Sequence, residues 1–331
     1  MKELIRVENL KKHFPLKRSL IEAITRIPPR LVKAVDGVSF TIKNGETLGL
    51  VGESGSGKTT TGRLILRLIE PTNGRILFED KEITSLKNEA LRKMRKDMQI
   101  IFQDPMAALN PYMKIGEAVR HPLKIHGIGS SKKEQLDTVY NMLEKVNLTP
   151  PRNFYNRYPK ELSGGQRQRV VIARALITNP RFVVADEALA MLDVSVRSQL
   201  LQLLLDLKNE FNLTYLFITH DLATTKYICD RIIVMYLGKI VEIGSFDDIY
   251  RSPAHPYTKA LISAVPEPDP KIQKSKKKLI PQGEVPNPIN PPSGCRFHPR
   301  CPYSIKNLCS VEEPVMKEIS DNHFVACHLF D

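Results

Sequence analysis

Eight consecutive residues, Gly52-Glu53-Ser54-Gly55-Ser56-Gly57-Lys58-Thr59, are of the types that grip a phosphate. Their spacing, G-x-x-x-x-G-K-[ST], lets successive backbone N–H groups turn inward as an anion nest, and a helix starting where the loop ends adds its positive pole. Lys58 supplies a mobile cation for outer phosphates, and the Thr59 hydroxyl is a hard oxygen ligand of the kind Mg2+ prefers. A second anion-binding terminus is written in Leu162-Ser163-Gly164-Gly165-Gln166. Ser163 is a good N-cap there, and the glycines leave N–H groups open ahead of the run Arg167 to Leu176. Further on, the apolar run Phe182-Val183-Val184-Ala185 ends in two carboxylates, Asp186 and Glu187. A strand there would present both at its C-terminal end, where open α/β sheets place their ligands. His220 follows the apolar run Tyr215 to Thr219 in the same way, and Gln103 follows Met98 to Phe102. Taken singly, an Asp-Glu pair, a His and a Gln are unremarkable features of a protein surface.

These groups need a scaffold, and the flanking patterns supply one. Glu46 to Val51 is a short apolar run suited to a buried strand, and Thr60 to Ile69 has helical apolar spacing. Strand, glycine loop, helix is the order the phosphate motif requires. Earlier, Leu4 to Leu10 and Val35 to Ile42 read as strands, with a turn at Asn44-Gly45. Phe14, just after the first strand, offers a flat face on which a base could stack; a Phe there also serves as ordinary core. A basic segment over 16–33 carries Leu20, Ile21, Ile24 and Ile27 on one face of a short helix stopped by Pro28-Pro29, read as a capped insertion, with a docking element as the alternative. A strand begins at Ile76 with a turn near Asp80-Lys81, 86–97 is charged and helical, and Met98 to Gln103 is a strand stopped by Pro105. Residues 106–160 read as a helical insertion. Residues 197–210 read as an amphipathic leucine-rich helix, Cys229 as a buried inert thiol, and Lys239 to Gly244 as a hairpin strand closing the core.

Composition bounds the class. The chain has 331 residues, 42% hydrophobic and 26% charged, enough for one large domain and a smaller one. Its apolar stretches fall short of a membrane span, and the start has no signal-peptide pattern, so a cytoplasmic setting is expected. A net charge of +13 fits nucleic acid, an anionic membrane surface, or scattered surface lysine and arginine. Of five cysteines, four lie beyond residue 294, at Cys295, Cys301, Cys309 and Cys327, separated by five, seven and seventeen residues. Four thiolates can close a tetrahedral zinc site or hold a [4Fe–4S] cluster, although the C-x-x-C hairpin of zinc ribbons is missing; free thiols are the third reading. His298 and His328 read as neighbours rather than ligands. Prolines from Pro253 to Pro292 suggest a linker laid on a surface, and Lys271, Lys274, Lys276, Lys277 and Lys278 form a basic run, read as solvated, with a membrane-facing role as the alternative.

Leu162 to Gln166 beside a phosphate loop resembles the signature of ABC-type ATPases, a pairing far more specific than either motif alone. Pro253 to Pro266 and the cysteines resemble the C-terminal extension of one branch, the ATP-binding subunits of oligopeptide/dipeptide transporters, and Thr60-Thr61-Gly62-Arg63 is similar to the second ATPase of such systems. The resemblance covers essentially the whole chain. It implies an α/β P-loop NTPase core with an antiparallel β subdomain, an inserted helical subdomain at about 106–168, and a small cysteine-containing C-terminal lobe. The nucleotide-binding domain would span 1–252 and the extension 253–331. By resemblance Phe14 stacks on adenine and Gly52 through Thr60 bind ATP. Thr59, Gln103 and Asp186 attend Mg2+. Glu187 polarises the attacking water, His220 touches the γ-phosphate, and Ser163, Gly164, Gly165, Gln166 and Asp193 face a second ATPase subunit. Some members of the branch carry an iron–sulfur cluster on this cysteine set, with zinc as the alternative. The implied partners are a homologous ATPase, expected as a heterodimer, two transmembrane permeases and, indirectly, an extracytoplasmic substrate-binding protein. The implied setting is the cytoplasmic face of the membrane, and the activity is ATP hydrolysis energising peptide import. Two rivals are a soluble ABC ATPase acting on nucleic acid or ribosomes and a non-hydrolysing regulatory module; without aromatic–basic interleaving, no nucleic acid is expected. The chain departs from the family at Ala188, usually proline, and Ala190, usually serine, which bears on rate and symmetry.

Overall fold

The strand that leads into the phosphate loop runs Thr47–Val51, and all five residues are buried, as expected of a strand covered on both faces. It belongs to a computed structural model that describes residues 2–16, 29–265 and 283–331. The expected helix carrying Leu20, Ile21, Ile24 and Ile27 and the basic run Lys271 to Lys278 lie outside the described residues. The chain divides into two compact units, one made of Ile42–Thr47 and Ser85–Ile218 with Lys2, the other of Glu3–Thr41, Leu48–Thr84 and Thr219–Asp331.

In the first unit three parallel strands, Met98–Ile101, Phe182–Asp186 and Thr214–Thr219, lie side by side with Phe182–Asp186 in the centre. The register pairs Ile101 with Ala185 and Asp186 with Ile218, so all three strands end at one edge. Gln103 lies two residues beyond its strand, ahead of the short helix Pro105–Ala108, so the strand stops earlier than expected. The helices Ile115–His126, Lys132–Lys145 and Pro151–Tyr155 lie within the stretch 106–160 read as helical, and Gly164–Leu176 is the helix expected after Ser163. The helix Val194–Phe211 buries Leu200, Leu203, Leu204 and Leu207, a single stripe at i, i+3, i+4 and i+7. Burying each leucine stabilises the fold by about 1.5–3 kcal/mol. The helix ends where Asn212 turns into the left-handed region at φ 50°.

In the second unit Leu31–Lys43, Glu3–Pro15, Asn73–Phe78 and Lys81–Glu82 form a four-stranded sheet in that order. Glu3–Pro15 and Lys81–Glu82 both run antiparallel to Asn73–Phe78, and Glu79 and Asp80 take positive φ at the expected turn. The loop-bearing strand Thr47–Val51 runs parallel to Arg231–Tyr236, pairing Val51 with Val234. Lys239–Ser245 returns antiparallel to Arg231–Tyr236. It does not close the sheet as expected. His323–Val325 pairs with its free edge, matching Glu242 to Val325, and Lys317–Ser320 adds beyond. The proline-rich stretch after Pro253 also differs from a surface linker. Pro256–Ala264 is a helix that buries Pro256, Tyr257, Thr258, Ala260 and Ser263. Its proline sits in the first turn, where no N–H is needed. Among the described residues no helix is long and apolar enough to cross a membrane.

Candidate functional site

The functional residues fall in both units, and each unit presents its own set. In the second, the loop turns where only glycine fits. Gly52 has φ +151° and a Cβ there would lie 2.2 Å from the Met235 carbonyl oxygen; Gly57 has φ +105° and would strike the Ala34 carbonyl oxygen at 2.2 Å. This cradle fits an anion. The helix Lys58–Ile65 starts at Gly57 with no side-chain cap and no acidic residue in its first turn, leaving the terminus open to a phosphate. Lys58 is buried, and its Nζ donates to the carbonyls of Gly52 and Glu53 at 2.8 Å each, so the ammonium is held inside its own loop. Thr59 and Thr60 are half-buried at the mouth. Phe14 is 38% exposed, with Lys12 Nζ over its ring 5.0 Å from the centre, so it lies at the surface rather than in the core. His220 is exposed just past the strand end at Thr219.

In the first unit Gln103 and Glu187 come together: Gln103 Nε2 donates to Glu187 Oε2 at 2.8 Å. Asp186 is buried beside them in sequence as the last residue of its strand. Glu187 adopts φ +46°, a left-handed conformation rare for a residue with a Cβ, and its N–H donates to the Ile218 carbonyl at 3.0 Å. The Ala190 N–H donates to the Glu187 carbonyl at 3.0 Å, so the turn after Glu187 closes without the family's proline at Ala188. Ser163 and Gln166 form a capping box: Gln166 N–H donates to Ser163 Oγ at 3.3 Å and Ser163 N–H to Gln166 Oε1 at 3.0 Å. The sequence pointed to the serine as the cap but not to the glutamine as its partner. Gly164 stays exposed, and a Cβ on Gly165 would meet Val196 Cγ1 at 2.7 Å. Asp193 caps Val194–Phe211, accepting from the Val196 N–H at 2.9 Å and the Ser195 hydroxyl at 2.8 Å. Those donors hold its carboxyl below the usual range.

Five further residues, His13, Asp36, Tyr257, Arg296 and Arg300, were given no role from the sequence. The Glu53 N–H donates to the Tyr257 hydroxyl at 2.8 Å, and the Glu53 carboxylate pairs with Arg300. Asp36 takes a short contact from Arg296 and a 2.9 Å bond with His13 Nε2, next to Phe14. Cys295-Arg296-Phe297-His298-Pro299-Arg300-Cys301 had carried the signal, two arginines inside a cysteine motif.

None of the cysteines among the described residues is in a disulfide. Among the described residues no group of three or more His, Cys, Asp or Glu side chains is arranged to hold a metal ion. The expected iron–sulfur or zinc site on Cys295, Cys301, Cys309 and Cys327 thus has no preformed counterpart. Burial pushes the Cys295 thiol up to about 12 and the charges of Cys327, Cys309 and Cys301 add to the rise, while a backbone hydrogen bond from Phe297 opposes it; burial raises Cys301 and Cys327 as well. A metal bound there would have to displace the thiol protons. Cys309 Sγ instead accepts the Ile305 N–H at 3.3 Å. His298 Nδ1 bonds the Cys295 carbonyl at 2.9 Å, and His328 bonds Asp331 and the Glu312 carbonyl.

The family described as ABC transporter matches residues 35–190, and that described as Oligopeptide/dipeptide transporter, C-terminal region, matches residues 241–309. The chain is 46% identical over 328 residues to the oligopeptide transport ATP-binding protein AppF of Bacillus subtilis, covering 99% of this chain and 97% of that one. It is 47% identical over 326 residues to the oligopeptide transport ATP-binding protein OppF of Salmonella typhimurium, covering 98% and 96%. Among solved structures, the dimeric ATP-binding cassette MJ0796 in a post-hydrolysis state bound to ADP and Pi superposes with a TM-score of 0.64 at 30% identity, over 73% of this chain and 99% of that one.

Proposed function

The chain belongs to the ABC transporter ATP-binding proteins, in their oligopeptide/dipeptide group, and we propose that it hydrolyses ATP to ADP and phosphate to energise import of peptides across a membrane. The observation that carries the hydrolytic part is the 2.8 Å bond from Gln103 Nε2 to Glu187 Oε2. It fixes a carboxylate at the end of a parallel strand, where that carboxylate can take the proton of an attacking water. Lys58 and the backbone of Gly52 through Thr60 would take the phosphates, with Phe14 against the adenine and His220 toward the γ-phosphate. Mg2+, when bound through Thr59, Gln103 and Asp186, would neutralise charge on the terminal phosphates. The capped terminus Ser163-Gly164-Gly165-Gln166 and Asp193 would complete the ATP site of a second, homologous subunit. ATP then favours the closed pair and hydrolysis releases it, a two-state element biased by differential binding. We assign residues 1–252 to the nucleotide-binding domain, with helices over 106–168 as the inserted subdomain, and 253–331 to the extension. The partners in this reading are two permeases and an extracytoplasmic binding protein, and the setting is the cytoplasmic face of the membrane.

Two measurements test the reading. Purified chain should turn over Mg-ATP, and Glu187→Gln should cut turnover by about 100-fold or more while still binding Mg-ATP. Turnover that persists in Glu187→Gln would remove Glu187 from its role. A finer proposal concerns the cysteines: they would hold a [4Fe–4S] cluster, or failing that zinc, as a structural staple. What supports it is that Cys301, Cys309 and Cys327 all lie close enough to act on Cys295 through their charge. Iron and acid-labile sulfide at about four each per chain in protein purified without oxygen would bear it out. Zinc without sulfide would give the alternative, and no metal would remove both.

A further inference from the structure

The two arginines of the cysteine motif have no part in the reading above, yet both are buried and both reach carboxylates of nucleotide-facing elements. Arg300 is the more telling. Its Nη1 donates to Glu53 Oε2 at 2.9 Å and its Nη2 to Glu53 Oε1 at 3.2 Å, a fork matched to both carboxylate oxygens. Nη1 also donates to the Tyr236 hydroxyl at 3.3 Å, and the guanidinium lies 5.8 and 6.0 Å from the ring centres of Tyr236 and Phe297. Those rings pack on one another edge-on at 5.2 Å, so the cation is backed by a rigid apolar wall. The same aromatic group holds the backbone of Glu53, because Tyr257, 4.7 Å from Tyr236, accepts the Glu53 N–H through its hydroxyl. One residue of the phosphate loop is therefore clamped at its amide and at its side chain by residues that follow it by 204 and 247 positions.

The charge at that point matters. Glu53 is the sole acidic residue among Gly52 to Thr59. A carboxylate in a loop that must accept a polyphosphate repels it. We propose that Arg300 is a positioning residue for nucleotide binding: acting through Glu53, it cancels the loop's one acidic charge and holds the loop in its phosphate-accepting shape. The C-terminal segment then contributes directly to affinity for Mg-ATP. This rests on the reading of the loop as the ATP site.

The test is equilibrium binding of Mg-ATP to the full chain, with steady-state hydrolysis alongside, for Arg300→Met, Arg300→Lys and the double variant Arg300→Met with Glu53→Gln. Arg300→Met should weaken binding about tenfold and raise KM by a similar factor with kcat changing about twofold or less. Arg300→Lys, which lacks the fork, should fall between it and the unaltered chain. The double variant should bind more tightly than Arg300→Met, because the stranded carboxylate is gone. A merely structural role would lower the melting temperature without that relief. A folded Arg300→Met chain that binds Mg-ATP like the unaltered protein overturns the inference, as does a double variant no tighter than the single one. If Arg300→Met does not fold, Arg300→Lys and Tyr257→Phe decide instead: each should weaken binding severalfold, and unchanged affinity in both overturns the inference. An unaltered chain that binds no Mg-ATP would overturn the ATPase reading itself, a result distinct from all of these.

Discussion

Glu242 is fully buried, and its carboxylate is matched donor by donor: the Ala254 N–H at 2.7 Å, the His255 N–H at 2.9 Å and His323 Nε2 at 2.8 Å. The two histidines around it titrate in opposite senses. The hydrogen bond to Glu242 raises His323. Burial lowers His255 to about 4, with Glu242 offsetting a part and Lys259 adding to it. Geometry agrees, since His255 Nδ1 accepts the Tyr257 N–H at 3.0 Å and so must stay unprotonated. A folded-state value below the unfolded value near 6.5 means the unfolded chain binds the proton first as pH falls. The contribution of neutral His255 is thus fully present above pH 6.5 and is lost as pH falls toward 4, at no more than about 1.4 kcal/mol per pH unit. His323 acts the other way: its contribution is present at low pH and is lost as pH rises through its raised value. Replacing His255 by Asn keeps an acceptor for the Tyr257 N–H and removes the titration. Urea unfolding at pH 7.5, 6 and 5 should show stability falling less steeply with acid in His255→Asn than in the unaltered chain. Equal slopes would mean that His255 takes up its proton at the same pH in the folded and unfolded chains.

At the level of elements, the sequence was informative wherever a function depends on neighbours in the chain. The phosphate loop between Thr47–Val51 and Lys58–Ile65, the cap at Ser163 and the carboxylates ending Phe182–Asp186 were all legible because motif and element are contiguous. The leucine stripe of Val194–Phe211 was legible because 3.6-residue periodicity is a local signal. The edges failed where pairing is remote. Lys239–Ser245 looked like a last strand because nothing near it announces that His323–Val325 will lie against its far side. Pro256–Ala264 looked like linker because proline was weighed as a breaker, whereas at a first turn it starts the helix. Gln103 was recognised by family likeness alone; that it meets Glu187, 84 positions later, no local pattern states. The departure at Ala188 and Ala190 also looks milder at this scale. The Ala190 N–H closes the turn on the Glu187 carbonyl, and Ala188 is buried, so packing replaces the stiffness that proline would bring.

Over the whole molecule, the residues after Pro253 belong to the second unit's core as much as its first strands do. The MJ0796 cassette, aligned over 99% of its length, occupies 73% of this chain, so the fold can stand without such an extension. Here the core has been built around it. Tyr236, Tyr257 and Phe297 pack ring against ring, and Tyr257 and Phe297 come from the extension. Ala254, Val325 and Cys327 form a small apolar cluster with Ile319 against it, again from the extension. Cutting the chain after Ser252 would remove two buried aromatic side chains worth about 1.5–3 kcal/mol each. It would also strand Asp36 and Glu53, now paired with buried Arg296 and Arg300, and leave Glu242 without its three donors. Breaking one buried ion pair costs about 3–5 kcal/mol, and a whole domain has only about 5–15 kcal/mol in hand. The losses together exceed that margin. A chain ending at Ser252 should therefore fail to give a cooperative melt, and its second unit should be cut readily by trypsin while the full chain resists. If the 1–252 chain instead melts sharply within a few degrees of the full chain, the extension is a passenger on a self-sufficient cassette, and the contacts at Glu53 and Glu242 contribute far less than their burial implies.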